Sequence, residues 1–409
     1  LKNATIMGMV VSGLVMGTMG GNFANADSQP VKKEWTLLVF MNGNNNLDDF
    51  GAYDLNEMEK VGSTDQVNVV VQWASLATNN VKRMYVTKDD DDQTVTSLPV
   101  QEMGAVDMGS YQALTDFIKW GAEKYPAKRY FVDVWDHGSG WHARKRLGVA
   151  RSGFNALDIS LDDNTGNSIT TEQLGKSIKD AAKAIGQKID IYGSDACLMA
   201  MAEVAGEMKG AVNIFLVAQE LEPGPGWPYD TFLARLTAKP VADAKEASKM
   251  LFEEFVISYQ QGSQGDEEVT LSAFDLNSLD ALATTVKTLG EKLTALPAGD
   301  KTKILTAIAS SQKFYYSDYV DLGDFLKNVE KSGIAGTSVS SAVTSVKGAL
   351  ATTMVSNGVT NAYAAAQGMS IWIPASRNTY KKHSERYKGL EFGKATNWAA
   401  TLNAILPAI

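Results

Sequence analysis

The chain has 409 residues, room for one large or two medium domains, with 44% hydrophobic and 21% charged residues, the balance of an ordinary soluble globular protein. Its formal net charge of −9 excludes the basic field that a general nucleic-acid binder needs, and suits, without requiring, substrates that carry Lys or Arg. A single cysteine, Cys197, excludes an internal disulfide and any cysteine-based zinc site.

In chain order, Lys2 precedes an apolar stretch over Ile6–Met19 and then the small-x-small triplet Ala24-Asn25-Ala26. This reads as a signal peptide over residues 1–26, since the stretch is short for a bilayer span and its glycines make a poor soluble helix. The mature protein is therefore expected to be soluble, and secreted or periplasmic. Trp35–Met41 is a near-continuous apolar run that ends at Asn42-Gly43-Asn44-Asn45-Asn46, with a helical pattern from Asp48. Such a run reads as a buried parallel strand entering a helix.

The pattern recurs, with strands expected at Val67–Trp73, Tyr130–Trp135, Ile189–Gly193 and Asn213–Ala218 and helices at Tyr111–Tyr125, Thr171–Ile185 and Cys197–Met208. Alternation of this kind implies βαβ units and a mainly parallel sheet covered on both faces. Thr170 and Gln173 form a capping-box signature for the helix after them. The four acids Asp89–Asp92 read as a solvated hairpin tip between Met84–Val86 and Thr94–Leu98, without the ligand spacing of an EF-hand. No metal site is expected. Beyond about Gly265 the chain turns helix-rich, with strands at Glu268–Leu276 and Gly368–Pro374 and helical stretches at Leu276–Leu296 and Lys301–Ser310. The expected organisation is a signal peptide at 1–26, an α/β domain at 31–265 and a helix-rich region at 266–409 tied back to the sheet.

Two segments place a reactive side chain just past a buried strand: Trp135-Asp136-His137-Gly138-Ser139-Gly140-Trp141 and Tyr192-Gly193-Ser194-Asp195-Ala196-Cys197. Sites in parallel sheets form at the carboxyl ends of strands, so neighbouring strands would bring His137 and Cys197 together. A thiol is only slightly ionised at neutral pH and needs a base or a lowered pKa. His137 can supply the base, and the start of a helix at Cys197 would favour the thiolate. Gly138 and Gly140 allow backbone N–H groups to approach an oxyanion. Taken singly, a lone Cys is more often a space-filler and a lone His a structural residue; the joint pattern favours chemistry. His142 lies in a basic loop and His383 reads as part of a solvated face. Neither Ser139 nor Ser194 sits in a G-x-S-x-G elbow.

DHGSGW around His137 and SDAC ending at Cys197 resemble the clostripain-like cysteine peptidases of the caspase-type clan. WTLLVFMNGNNNL at 35–47, ELEPGPGWPY at 220–229, YVDLGDF at 319–325 and GMSIWIP at 368–374 extend the resemblance over about residues 31–400. The resemblance implies a caspase-like three-layer α/β sandwich with a mainly parallel sheet. It implies Cys197 as nucleophile and His137 as general base, with the backbone of Gly138 and Cys197 as the oxyanion site. Asp195 would select Arg or Lys before the cut, against the alternative that it caps a helix at Cys197. The 220–229 segment would form a wall of the cleft. Self-cleavage in the basic loop after His137 is expected at Arg151-Ser152. The partners implied are protein or peptide substrates with Arg or Lys before the cut, with no nucleic acid and no membrane once the signal is removed. No cofactor is expected; calcium dependence occurs in part of the family, and no residue here indicates it. The alternatives are a transpeptidase or Asn-specific peptidase on the same scaffold, or a non-catalytic secreted binding protein.

Overall fold

Runs of β-branched and aromatic residues, buried on both faces, make the centre of the fold. The computed structural model describes residues 32–142, 158–334 and 337–407. The signal-peptide segment 1–26 and the Arg151-Ser152 bond lie outside the described residues.

Strand β1 (Lys33–Gly43) leads through helix α1 (Asp48–Glu59) to β2 (Val67–Ser75), parallel to it. β3 (Asn80–Tyr85) and β4 (Pro99–Gly104) fold back antiparallel at that edge. Helix α2 (Tyr111–Lys124) crosses to β5 (Ala127–Trp135), which pairs parallel on the other side of β1. A small hairpin, β6 (Ile159–Asp162) and β7 (Asn167–Ile169), precedes α3 (Thr171–Ile185) and β8 (Ile189–Gly193), parallel to β5. Helix α4 (Ala202–Met208) leads to β9 (Val212–Val217), parallel to β8.

Helices α5 (Tyr229–Ala238) and α6 (Ala244–Ser258) and the ribbon β10 (Gln260–Gly262) with β11 (Gly265–Asp266) come before β12 (Thr270–Asp275), antiparallel to β9. The remainder is α7 (Leu279–Thr294), α8 (Ala298–Ser310), β13 (Tyr319–Asp321), α9 (Leu322–Lys331), α10 (Thr337–Thr353), β14 (Met354–Val359), β15 (Ser370–Trp372), α11 (Arg377–Gly389), α12 (Glu391–Thr396) and α13 (Trp398–Ile405). The main sheet has nine strands in the order β14-β12-β9-β8-β5-β1-β2-β3-β4, with a parallel centre and antiparallel flanks.

Alternation along β1 divides its side chains between two cores. Leu38 and Phe40 join one apolar cluster, and Leu37, Val39 and Met41 the other. Each of these side chains is buried, and each such burial contributes roughly 1.5–3 kcal/mol. Helix α3 shows the capping box read from its sequence: Thr170 Oγ1 accepts the Gln173 N–H at 3.2 Å and Gln173 Oε1 accepts the Thr170 N–H at 3.0 Å.

Three expectations change. The second hairpin arm, expected at Thr94–Leu98, begins instead at Pro99. The buried Glu59 carboxylate takes the N–H groups of Thr96 and Ser97, so those donors are spent outside any ladder. Within GMSIWIP, strand β15 pairs with β13 and not with the main sheet. The region beyond 266 reaches the main sheet through β12 and β14, and β14 had no strand signal because its middle, Ser356-Asn357-Gly358, is polar and glycine-containing. The helix expected over Cys197–Met208 starts only at Ala202.

Candidate active site

Strands β5 and β8 are neighbours, with Asp133 opposite Gly193, so the loops that follow them meet. The Asp136 N–H donates to the Asp195 carbonyl at 3.2 Å. A Cβ placed on Gly138 would lie 2.4 Å from the Cys197 carbonyl oxygen, a contact only glycine permits. The structure thus brings His137, Gly138, Asp195 and Cys197 to one place at the carboxyl ends of adjacent strands. Gly138 forms an isolated bridge to Ile159 through the N–H groups of Ser139 and Ser160, which leaves its own N–H outside the bridge.

Cys197 lies in a turn, and the helix macrodipole expected to favour its thiolate is absent. Tertiary hydrogen bonds claim the backbone that a helix would need: Leu198 N–H donates to Glu220 O, Ala200 N–H to Ala218 O, and Ser370 N–H to Ala200 O. Leu198 adopts a left-handed φ of +67°, an unfavourable conformation for a γ-branched residue, held directly beside the thiol. The Cys197 thiol is pushed up to about 11, first by burial and then, against the Glu222 N–H that donates to Sγ at 3.3 Å, by the Asp195 charge. At neutral pH it is a thiol, and it needs a base.

Asp195 is buried and caps no helix. Its Oδ2 accepts the Trp227 N–H at 2.9 Å, and the Tyr229 hydroxyl lies 3.0 Å from the same oxygen and 2.7 Å from Asp133 Oδ2. One hydroxyl hydrogen cannot serve two carboxylates at once, so the arrangement favours a proton on one of the pair. Burial and the Asp195 charge push Asp133 up to about 8, and burial raises Asp195 as well. Gly226, at φ +60°, closes over this carboxylate; a Cβ there would sit 2.7 Å from Asp195 Oδ2.

Glu222 adds a further acid. Its buried carboxyl is hydrogen-bonded to the Asp195 carboxylate, and burial followed by the Asp195 charge drives its pKa well up, so the pair holds a shared proton. Asp54 is fully buried and accepts the Trp135 indole N–H at 2.5 Å. Among the described residues no Lys or Arg lies within ion-pair distance of Asp54, Asp133, Asp195 or Glu222. Nor is any group of three or more His, Cys, Asp or Glu side chains there arranged to hold a metal ion.

The histidine loop leans on the C-terminal half. The Tyr319 hydroxyl lies 2.7 Å from Ser139 O and 2.9 Å from His142 O, and accepts the His142 N–H at 3.2 Å. Gln219 donates to Asp321 Oδ2 and Ser370 Oγ, both at 3.0 Å, which ties YVDLGDF and GMSIWIP to the strand after Cys197. The readings of His142 and His383 are corrected. His142 is buried, its Nε2 3.2 Å from Asp318 Oδ2, and His383 stacks on it at 4.3 Å between centroids. Burial, with His142 beside it, holds His383 down to about 4.

Sequence reasoning passed over Asn46, Asp133 and Glu222. Asn46 was hidden in a run of asparagines read as a turn, and its Oδ1 lies 2.9 Å from His137 Nε2. Asp133 is a polar interruption of the YFVDVW strand, which was the available signal. Glu222 lay inside a segment recognised only as a cleft wall.

A parallel sheet that presents a thiol and an imidazole from adjoining strand ends is the scaffold of caspase-like cysteine proteases. The chain belongs to the clostripain family, whose profile matches residues 39–404. It is similar over 90% of its length to a secreted C11 cysteine protease from Bacteroides thetaiotaomicron in complex with an irreversible peptide inhibitor, at 20% identity and TM-score 0.69 over 99% of that chain. An inactive zymogen C11 protease from Parabacteroides distasonis matches the same share, at 20% identity and TM-score 0.66 over 99% of its chain. A further secreted C11 cysteine protease from Bacteroides thetaiotaomicron, iotapain, matches at 18% identity and TM-score 0.70 over 100% of its chain. At these identities the likeness establishes the caspase-like fold. No curated protein matches the chain. Among the described residues no helix is long and apolar enough to cross a membrane.

Proposed function

We propose that the protein is a secreted cysteine endopeptidase that hydrolyses peptide bonds after Arg or Lys, with Cys197 as nucleophile and His137 as general base. The observation that carries the reading is a buried group of acids, Asp195 and Glu222 foremost, that adjoins the thiol and, among the described residues, has no Lys or Arg at ion-pair distance. A guanidinium or ammonium entering there would pair with the Asp195 carboxylate and let the neighbouring acids release their protons, which a neutral side chain would not do. The same cation offsets the Asp195 charge that raises the thiol.

In the reaction His137 takes the Sγ proton as the sulfur attacks the scissile carbonyl carbon and the carbonyl π pair moves to oxygen. The backbone N–H groups of Gly138 and Cys197 receive that oxyanion. His137 then returns the proton to the leaving amine as the C–N bond breaks, and water attacks the acyl-enzyme in a second round. The chain is made as a zymogen and cuts itself at Arg151-Ser152. Support for a stable two-chain product comes from the flanks of that loop: His142 packs on His383, and Asp158 pairs with Arg386, both on α11.

The test uses matched fluorogenic peptides ending in Arg, Lys, Asn or Asp, with and without a thiol alkylator, alongside intact-mass spectrometry. The expectation is alkylator-sensitive turnover of the Arg and Lys peptides only, two fragments meeting at Arg151, and one uncut, inactive chain for Cys197→Ala. Turnover of the Asn peptide instead would replace the specificity assignment. The same fragments from Cys197→Ala would mean that another protease does the cutting.

A further inference from the structure

We propose that Asn46 is the positioning residue for the His137 imidazole, fixing its tautomer so that Nδ1 is the basic nitrogen. This rests on the reading of His137 as general base. Asn46 Oδ1 lies 2.9 Å from His137 Nε2. An amide oxygen can only accept, so Nε2 carries the hydrogen and the lone pair is left on Nδ1. The thiol proton therefore moves from Sγ to Nδ1, and the imidazolium that results keeps its Nε2–H bond to Asn46. When the leaving amine departs, the same Nδ1 proton goes to it.

Both partners are held by one network. Asp136 Oδ1 accepts the His137 N–H at 2.5 Å and the Asn45 side-chain N–H at 2.7 Å, and Asp136 Oδ2 accepts the Asn42 side-chain N–H at 2.9 Å. Asn45 Oδ1 accepts the Leu47 N–H at 2.8 Å, which fixes the backbone on either side of Asn46. Asn42, Asn45 and Asp136 are all buried, whereas Asn46 is exposed and turned to the ring. The asparagine run that ends β1 is thus a frame of buried amides that delivers one amide oxygen to the base.

The uncharged partner matters. A carboxylate in that place would raise the proton affinity of the imidazole. An amide adds no charge beside the imidazole and still accepts the Nε2–H when the cation forms. Titratable groups of the described residues on the elements that adjoin this pair include Asp136 on the same loop, Asp163 after β6, Asp48 and Asp49 at the start of α1, and Asp195 and Cys197 on the turn after β8.

The test exploits the single thiol. The pH dependence of its alkylation by iodoacetamide is measured on the full chain for wild type, Asn46→Ala, Asn46→Asp and His137→Ala, with thermal melts as a folding control. Wild type should show a neutral-pH limb set by the imidazole, and His137→Ala should retain only the alkaline limb of the isolated thiol. Asn46→Asp should move the neutral limb up by about 1 pH unit, as an added neighbouring charge does. Asn46→Ala should lower the neutral-pH rate roughly 30-fold, part of what a positioned base supplies, with an unchanged melt. The same split is expected in peptide hydrolysis, as a loss in kcat with KM kept. Wild-type profiles for both Asn46 variants, with the limb lost in His137→Ala, would overturn the proposal and leave the base in place. A limb that survives in His137→Ala would overturn the base assignment and this proposal with it.

Discussion

Asp158 is as deeply buried as Asp195, yet Arg386 reaches it and also takes Glu172. Asp54, Asp133, Asp195 and Glu222 have no such partner among the described residues. In the first cluster burial still holds Asp158 above its ordinary range, but Glu172, which burial alone would raise, is drawn below it by Arg386. In the second every acid is pushed up. A fold can bury acids in either way, and the two ways mark different purposes. A matched acid secures structure, while an unmatched one beside a thiol is, on the proposed reading, the place for a substrate cation.

Substitutions at the two clusters should therefore move activity and stability separately. The largest effect is expected for Asp195→Asn, which should lower kcat/KM on Arg and Lys peptides roughly 10³-fold, the scale of an uncompensated charge pair, without lowering Tm. A fall in Tm with specificity kept would place Asp195 in the structural class. Arg386→Met leaves Asp158 buried and unpaired, and should cost about 3–5 kcal/mol in denaturant unfolding, with Asp158→Asn in that background recovering part of the loss.

The unmatched cluster should also show in the pH dependence of stability. Asp133 sits at about 8 against an ordinary 3.8, so the folded state keeps a proton that the unfolded chain has released. Its stabilising contribution is complete below the ordinary value and is lost as pH rises toward 8. Asp133→Asn should therefore flatten the fall of Tm between pH 5 and about 8. The flattening should be incomplete, because Glu57 and Glu203, each pushed up to about 7 chiefly by burial, keep part of the slope. A slope unchanged in that variant would remove Asp133 from the account. The smallest effect belongs to a site remote from both clusters: Thr170→Ala removes one half of the α3 capping box and should cost about 1 kcal/mol without touching hydrolysis.

Much of this was legible from the residues alone, and the limits have physical causes. The strands at the centre of the sheet are buried on both faces, so their apolar runs marked β1, β2, β5, β8 and β9 to within a few residues. His137 and Cys197 were legible because each follows such a run. The conformation at Cys197 was not, because the apolar stretch after it has helical character that hydrogen bonds to the Glu220 and Ala218 carbonyls and from the Ser370 N–H override. Partnerships across long separations were invisible for the same reason. Nothing local tells that Tyr319 holds the His137 loop, or that His142 is covered by His383.

The strand order has a further consequence. Every strand from β1 to β5 comes from residues before 143, and β8, β9, β12 and β14 come from residues after 158. In the main sheet these two sets meet along one line, the pairing of β5 with β8, where Phe131, Val132 and Asp133 face Ile191, Tyr192 and Gly193. His137 stands on one side of the line and Cys197 on the other, and Asn42 and Asn45 reach across to the Leu161 carbonyl. The proposed cut between residues 143 and 157 would make a heterodimer with His137 and Cys197 on opposite sides of its subunit interface. Catalysis by such a form would last only as long as the two chains stay together, and their separation would be an off-switch with no inhibitor bound.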